Sequence, residues 1–170
     1  RLFSAALAGG CLLDIGVYNV AMTRWVLEAA LGACPDPVSL RAEGVIAPSG
    51  VEQRASATIV FPGGVVSQFV CAFDSQADNG LRIFADAGCI SIPQRFWEAT
   101  EAVLSRPGEQ PQIERAPFCI NGFEEEIEET IRCVRAGSIE STRMPQAETL
   151  AIVGCLDELR RQIGVRYPFE

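Results

Sequence analysis

The sequence predicts an α+β fold in which helices pack on one face of an open, mainly antiparallel β-sheet. Its candidate strands come in hairpins, the clearest being residues 54–61 and 65–73, which flank a Pro-Gly-Gly turn at 62–64. Helical periodicity is confined to residues 12–31 and to the chain beyond residue 122. No Gly-x-Gly-x-x-Gly motif follows a strand, so no dinucleotide-binding βαβ unit is predicted within this chain. Strands and helices segregated in this way indicate the α+β class.

The individual elements follow from local patterns and from glycine and proline signals. Residues 12–31 are expected to form a helix that follows Gly9-Gly10 and ends at Gly32. In the candidate strand at 54–61, alternate residues are apolar, which gives the strand one apolar face. Residues 38–46 are rich in small and β-branched residues and are expected to form a strand, and residues 81–86 and 89–92 flank Ala87-Gly88 as a second hairpin. Residues 102–104 and 112–114 are short and lie on either side of Arg106-Pro107-Gly108, as expected of strands at a sheet edge.

Two closing helices are predicted after residue 117. The first of them ends at Gly137, and its glutamates are interpreted as a solvated face near the helix N-terminus. Four apolar residues recur with helical spacing on its other face: Phe123, Ile127, Ile131 and Val134. The second helix is expected to start near residue 145 and to close at Gly164.

Composition favours a single domain over residues 1–170, large enough to bury a core without disulfides or metal. The net charge is −8, and all fourteen basic residues are arginines without a basic cluster. An acidic chain of this kind is a poor candidate for binding nucleic acid or an anionic membrane. No apolar run reaches the roughly 18 to 20 residues of a membrane span, and no signal peptide is recognisable. We therefore expect a soluble, cytoplasmic protein without a membrane partner.

The cysteine and histidine content argues against a metal centre. The seven cysteines are scattered, odd in number and never spaced as C-x-x-C, which disfavours both a disulfide framework and a zinc site. The chain contains no histidine, so the commonest metal ligand and the usual general base are both absent. Any reaction is expected to proceed without a metal.

Asp14 and Tyr18 are the candidate functional residues. They stand four residues apart in the segment AGGCLLDIGVY at 8–18, so that on a helix they share one face. Their neighbours, including Trp25, are apolar on nearly all sides, which is typical of a helix buried on most of its surface. From these residues alone two interpretations stand open: a buried Asp bonded to backbone with a Tyr hydroxyl at the surface, or a functional pair.

This segment resembles the start of the C-terminal domain of the Gfo/Idh/MocA oxidoreductases. The tail extends the resemblance, because residues 122–150 and 156–168 are similar to the two closing helices of that family. Most members carry a His four residues after the Asp, whereas this chain has Tyr18. In that respect it resembles the branch that contains dimeric dihydrodiol dehydrogenase, D-xylose dehydrogenase and glucose-fructose oxidoreductase.

The resemblance implies a dihydrodipicolinate-reductase-like sheet whose second face contacts another subunit. In residues 65–73 both alternating faces carry apolar groups, which also suggests a sheet buried on both sides. A homodimer or a higher homo-oligomer is therefore expected.

The resemblance further implies that Tyr18 is the acid/base group in hydride transfer between NAD or NADP and a sugar, a polyol or a trans-dihydrodiol. Asp14 would orient the substrate or the family's lysine, which belongs to a Glu-Lys-Pro motif of an N-terminal Rossmann domain. This chain has no lysine and no cofactor-binding residue of its own, so it is expected to be the C-terminal half of the enzyme and inactive alone. The alternative is a non-catalytic ligand-binding or dimerisation module. Asn19 and Tyr167 stay outside the catalytic pair, and Tyr167 is interpreted as a surface anchor for the tail.

Overall fold

The computed structural model describes all residues from 1 to 170 and divides into two compact units. The first unit comprises residues 1–75 and 146–170, and the second comprises residues 76–145. The expectation of a single domain stays a prediction. The helices, in chain order, are a π-helical turn at Leu12–Gly16, α1 at Val17–Leu31, α2 at Glu124–Ala136 and α3 at Gln146–Ile163. The strands are β1 (Ser39–Ile46), β2 (Glu52–Val60), β3 (Val66–Ala72), β4 (Leu81–Ala85), β5 (Gly88–Ile92), β6 (Glu101–Ser105) and β7 (Gln112–Arg115).

All strands pair antiparallel, and the α+β class is confirmed. They form two open sheets, β1-β2-β3 in the first unit and β4-β5-β6-β7 in the second, where the sequence predicted one. Residues 74–80 separate the two sheets, and five of these seven residues are Asp, Ser, Asn or Gly, which favour turns over strands. The Pro-Gly-Gly hairpin is confirmed: the Phe61 N–H donates to the Val65 carbonyl at 2.8 Å, and Gly63 has a φ of 78°.

The core of the first unit lies between its sheet and the helices α1 and α3. Alternate residues of β2 point into this core, as the alternation predicted. The buried residues of the cluster are Cys11, Leu12, Val20, Leu27, Ala55, Ala57, Ile59, Phe61, Cys71, Ile152, Leu156 and Leu159. All seven cysteines of the chain are free thiols, and the two in this core pack as small apolar residues.

Helix α1 is less buried than its composition predicted. Val20 and Leu27 lie in the core, whereas the side chain of Trp25 is 63% exposed. The prediction of a helix covered on most sides was therefore wrong, because an apolar composition does not say how many neighbours the fold supplies. By length and composition the helical segment Ala5–Leu31 is also apolar enough to cross a membrane, since its only charged residues are Asp14, Arg24 and Glu28. Core helices of globular proteins meet the same criterion, and the absence of a membrane partner stays a prediction.

In the second unit, the glutamates of α2 have two different roles. The carboxylate of Glu124 accepts hydrogen bonds from the backbone N–H groups of Ile120, Asn121 and Gly122, and these bonds hold its pKa at about 2. It therefore anchors the helix N-terminus, while Glu128 is exposed as expected of a solvated face. The apolar face of α2 is exposed as well, at Phe123, Ile127, Ile131 and Val134.

Candidate functional site

Asp14 lies in the π-helical turn that precedes α1, and its partner is an arginine from the start of the chain. The Asp14 Oδ1 accepts a hydrogen bond from the Arg1 Nη2 at 2.8 Å. The Asp14 side chain is 27% exposed and that of Arg1 is 73% exposed. The interpretation of Asp14 as a buried carboxylate bonded to backbone is therefore wrong, because the carboxylate is partly open and is paired with a side chain.

Tyr18 stands in the first turn of α1, and about half of its side chain is exposed, at 49%. Its ring lies on the surface of the first unit while neighbouring residues of the same helix are packed in the core. Asn19 is turned back onto the helix, because its Nδ2 donates to the Ile15 carbonyl at 3.4 Å. Of the two polar residues at the start of α1, Tyr18 is thus the more exposed one.

The turn at Gly9 and Gly10, called here the glycine turn, brings residues 1–8, the N-terminal arm, back over the site. The Gly9 N–H donates to the Ser4 carbonyl and the Gly10 N–H donates to the Leu2 carbonyl, both at 2.9 Å. A Cβ atom on Gly9 would lie 2.8 Å from the Arg1 carbonyl oxygen, so only glycine fits this close approach. The arm, the turn and Asp14 enclose a cavity of about 70 Å³. That volume is far below the roughly 300–1,000 Å³ of ordinary ligand pockets.

A buried carboxyl group, Glu52 at the start of β2, lies directly under this turn and was not predicted. Its side chain is fully buried, and its Oε1 accepts a hydrogen bond from the Leu12 N–H at 2.9 Å. Its Oε2 has no hydrogen-bond partner in the protein. Burial raises the pKa of this carboxyl above its ordinary value. Nothing in the local sequence indicated such a role, because Glu52 and Leu12 are 40 residues apart.

Tyr167 fixes the same turn from the C-terminal tail. Its hydroxyl donates to the Gly9 carbonyl at 2.8 Å, and the Arg160 guanidinium lies 4.2 Å from the centre of its ring. Burial raises the pKa of Tyr167 to about 12. Tyr167 is therefore an anchor for the tail, as interpreted, but it is a buried anchor and not a surface one.

The comparison with protein families identifies the region that contains this site. Residues 1–91 match the family model described as the GFO/IDH/MocA C-terminal domain. These residues include the glycine turn, Asp14, Tyr18 and Glu52. The match covers more than half of the chain and so assigns the family.

The chain is also similar to curated enzymes of known activity. It is 32% identical over 172 residues to the trans-1,2-dihydrobenzene-1,2-diol dehydrogenase of Danio rerio, covering 98% of this chain and 50% of that enzyme. The enzyme of the same name from Homo sapiens is 29% identical over 173 residues, covering 99% of this chain and 50% of that enzyme. The chain therefore spans about half the length of the curated relatives it matches.

Solved structures share the fold at lower sequence identity. An aldose-aldose oxidoreductase from Caulobacter crescentus, complexed with glycerol, has a TM-score of 0.75 at 22% identity and covers 95% of this chain and 48% of that one. A 3-ketoreductase from Actinomadura kijaniata, in complex with TDP-benzene and NADP, has a TM-score of 0.69 at 20% identity. It covers 89% of this chain and 46% of that one.

Proposed function

Because the chain belongs to the Gfo/Idh/MocA C-terminal domain family, we propose that it forms the substrate-binding half of an NAD(P)-dependent oxidoreductase. The observation that carries the proposal is the position of Tyr18: its side chain is half exposed at the first turn of a helix whose inner face is held in the core. Asp14 lies one helical turn before it. A phenol and a carboxylate on a rigid element suit acid/base chemistry at a bound hydroxyl or carbonyl group.

The chain's own residues would handle the proton and the orientation of the substrate. When bound, the nicotinamide supplies or accepts the hydride. Tyr18 would take the proton from the substrate hydroxyl during oxidation and return it to the carbonyl oxygen during reduction. A free phenol has a pKa near 10, so efficient proton transfer at neutral pH needs a nearby cation. We propose that this cation is the family's lysine, supplied by a nucleotide-binding domain outside this chain, because the chain itself has no lysine.

Asp14 would orient the substrate or that cation. Its carboxylate is 27% exposed and is paired with Arg1. Since Arg1 is mostly solvent-exposed, this ion pair is weak and an incoming group can compete for the carboxylate. The small cavity beside Asp14 is consistent with a substrate site of which this chain forms only one wall.

The names of the relatives point to the substrate class. The similar enzymes of animals are dehydrogenases of a trans-dihydrodiol, and a structural neighbour is an aldose-aldose oxidoreductase. We propose a small molecule that carries a CH–OH group, either a sugar, a polyol or a trans-dihydrodiol.

We also propose that the outward face of the first unit's sheet forms a contact between two copies of the chain. Val66 and Val70 are 54% and 67% exposed on this face, and they lie beside the polar residues Thr58 and Gln68. Apolar side chains on a sheet face are commonly covered by a two-fold contact. The alternative function, a non-catalytic binding or dimerisation module, would keep this face and make no use of Tyr18.

The experiment that tests the proposal replaces the two phenols separately in the intact enzyme that carries this chain. Tyr18→Phe removes one hydroxyl and should lower kcat by about 10²- to 10⁴-fold, the range for a positioned acid/base group, with little change in cofactor affinity. Tyr167→Phe is the matched comparison: it also removes one hydroxyl, but from a buried residue that supports the turn through the Gly9 carbonyl and faces no substrate, so its loss of kcat should be much smaller than that of Tyr18→Phe. Asp14→Asn should reduce activity in a protein that still folds. Near-normal turnover of Tyr18→Phe would exclude Tyr18 as the acid/base group.

A further inference from the structure

Glu52 combines two features that seldom occur together in a protein core. Its carboxyl group is fully buried, and one of its two oxygens has no partner in the protein. Burying a polar group without a partner is unfavourable, and an apolar side chain of similar size would avoid that cost. The pKa of Glu52, raised by burial, reflects the same cost. Packing alone therefore does not account for a carboxyl group at this position.

The Glu52 oxygen that has a partner accepts a hydrogen bond from the Leu12 N–H, at the start of the helical segment that carries Asp14 and Tyr18. Leu12 is the first residue of the π-helical turn, and amides in the first turn of a helix have no acceptor within the helix. The Glu52 Oε1 accepts from this N–H at 2.9 Å, and it does so from the start of β2, an element of the core sheet. The bond thus ties the helix start to the sheet from inside the protein.

The glycine turn is shaped to admit this carboxyl group. Gly10 has a φ of 123°, and a Cβ atom built on it would lie 2.6 Å from the carboxyl carbon of Glu52. Any other residue at position 10 would push the carboxyl group away from the Leu12 N–H. Asp14 follows Leu12 by two residues within the same π-helical turn, and Tyr18 is the second residue of α1, which follows that turn directly.

We propose that Glu52 is a positioning residue: its buried carboxyl oxygen accepts the hydrogen bond of the Leu12 N–H and thereby fixes the position of the π-helical turn, which in turn positions Asp14 and Tyr18. This inference rests on the proposed function, in which those two residues act on the substrate. The required property is a hydrogen-bond acceptor at this point, and a negative charge is not needed. An uncharged acceptor should therefore replace the carboxyl group.

Two substitutions in the intact enzyme separate the acceptor from the charge. Glu52→Gln keeps a carbonyl oxygen at the same distance, whereas Glu52→Met has a similar volume and no comparable acceptor. We expect Glu52→Met to lower kcat by about 10- to 100-fold per folded molecule, as a displacement of about 1 Å can do, with the KM for the nicotinamide unchanged. Glu52→Gln should retain most of the activity. A purely structural role would lower the melting temperature of Glu52→Met but leave kcat per folded molecule unchanged, and that result would overturn the proposal.

Hydrogen exchange of the Leu12 amide gives a readout that does not depend on activity. The amide should be protected in the wild type and in Glu52→Gln and should exchange more than about tenfold faster in Glu52→Met, since a lost acceptor lets the turn open. An unprotected Leu12 amide in the wild type would overturn the proposal even if Glu52→Met failed to fold. Equal loss of kcat in both variants would also overturn it, because the charge would then be the essential property. If Tyr18→Phe retained its turnover, the proposed function would fail separately, and the exchange of Leu12 would still decide whether Glu52 sets the turn.

Discussion

Neutralising Glu148 should destabilise the first unit, because this residue pairs with an arginine that is almost fully buried. The Arg24 Nη2 lies 2.9 Å from the Glu148 Oε2, and the Arg24 Nε donates to the Glu148 Oε1. The side chains are 7% and 24% exposed, and the pair joins α1 to α3 across the core. Glu148→Gln keeps the shape of the side chain but leaves the buried guanidinium with a neutral partner. Hydrogen bonds to charged groups contribute about 1.5–3 kcal/mol, so we expect a loss near 2–3 kcal/mol.

Urea unfolding and thermal melts at pH 7 measure this loss. For a chain of this size, 1 kcal/mol shifts the melting temperature by about 2–4 °C, which predicts a decrease of about 4–12 °C. The double variant Arg24→Met with Glu148→Gln should recover a large part of the stability, since a buried pair is often replaceable by neutral residues together. A loss below about 0.5 kcal/mol in Glu148→Gln would mean that the pair contributes no more than an exposed ion pair does, contrary to this prediction.

The pH dependence of the same variant provides a second check. The hydrogen bond from Arg24 lowers the pKa of Glu148 below its ordinary value of 4.5. The folded state therefore binds the proton of Glu148 less readily than the unfolded state does. The stabilisation is fully present above the unfolded pKa and is lost as the pH falls through the folded pKa. The stability difference between the wild type and Glu148→Gln should shrink below about pH 4, and a difference unchanged from pH 7 to pH 3 would contradict this assignment.

Three further predictions concern binding, assembly and the tail. The 170-residue chain alone should not bind NADH or NADPH, since it has neither a phosphate-binding glycine loop nor a lysine; micromolar binding by calorimetry would contradict this expectation. Light scattering coupled to size exclusion should give a dimer of the 18.3 kDa chain. Val70→Asp should convert this dimer to a monomer, whereas the control Val153→Asp, on the exposed side of α3, should not. A monomeric wild type at tens of micromolar would count against the sheet contact. Tyr167→Phe should lower the free energy of unfolding by about 0.5–1.5 kcal/mol, through the lost bond to the Gly9 carbonyl, and a variant as stable as the wild type would show that this bond adds nothing.

The elements that the sequence predicted well depend on local residues. Gly32, Gly137 and Gly164 end the three α-helices, and all three have the positive φ values, 83°, 67° and 90°, that glycine adopts without strain. The hairpin turn at 62–64 has the same local cause. In each case the conformation follows from the residue itself and its immediate neighbours.

The burial of the helices could not be predicted in this way. The apolar face of α2 has a regular spacing, yet Ile127 is 54% exposed, and Trp25 in α1 is 63% exposed. Periodicity shows which residues share a face of a helix, but whether another element covers that face depends on the tertiary arrangement. The number of sheets was missed for the same reason, since hairpins reveal neighbouring pairs and not the boundary between two sheets.

The contacts around the candidate site come from parts of the chain that are far apart in sequence. Arg1 reaches Asp14 across 13 residues, Glu52 reaches Leu12 across 40, and Tyr167 reaches Gly9 across 158. Arg1 and Glu52 are ordinary in their own local contexts, so no pattern marked them in advance, and Tyr167 was predicted only as a surface anchor for the tail. The segment that receives these contacts, residues 8–18, was recognisable from the sequence, but its contact partners were not.

This convergence gives a physical reason for the two glycines before the functional helix. The Gly9 carbonyl accepts from Tyr167, and the missing side chain of Gly10 leaves the space that the Glu52 carboxyl group occupies. The C-terminal tail and the core sheet thus both hold a single turn, and the turn leads directly into the helix that carries Asp14 and Tyr18. A reactive group must be held within a fraction of an ångström, and a site is more precise when such a rigid element supports it. On this argument the glycines serve the proposed chemistry because they admit the two side chains that hold the turn.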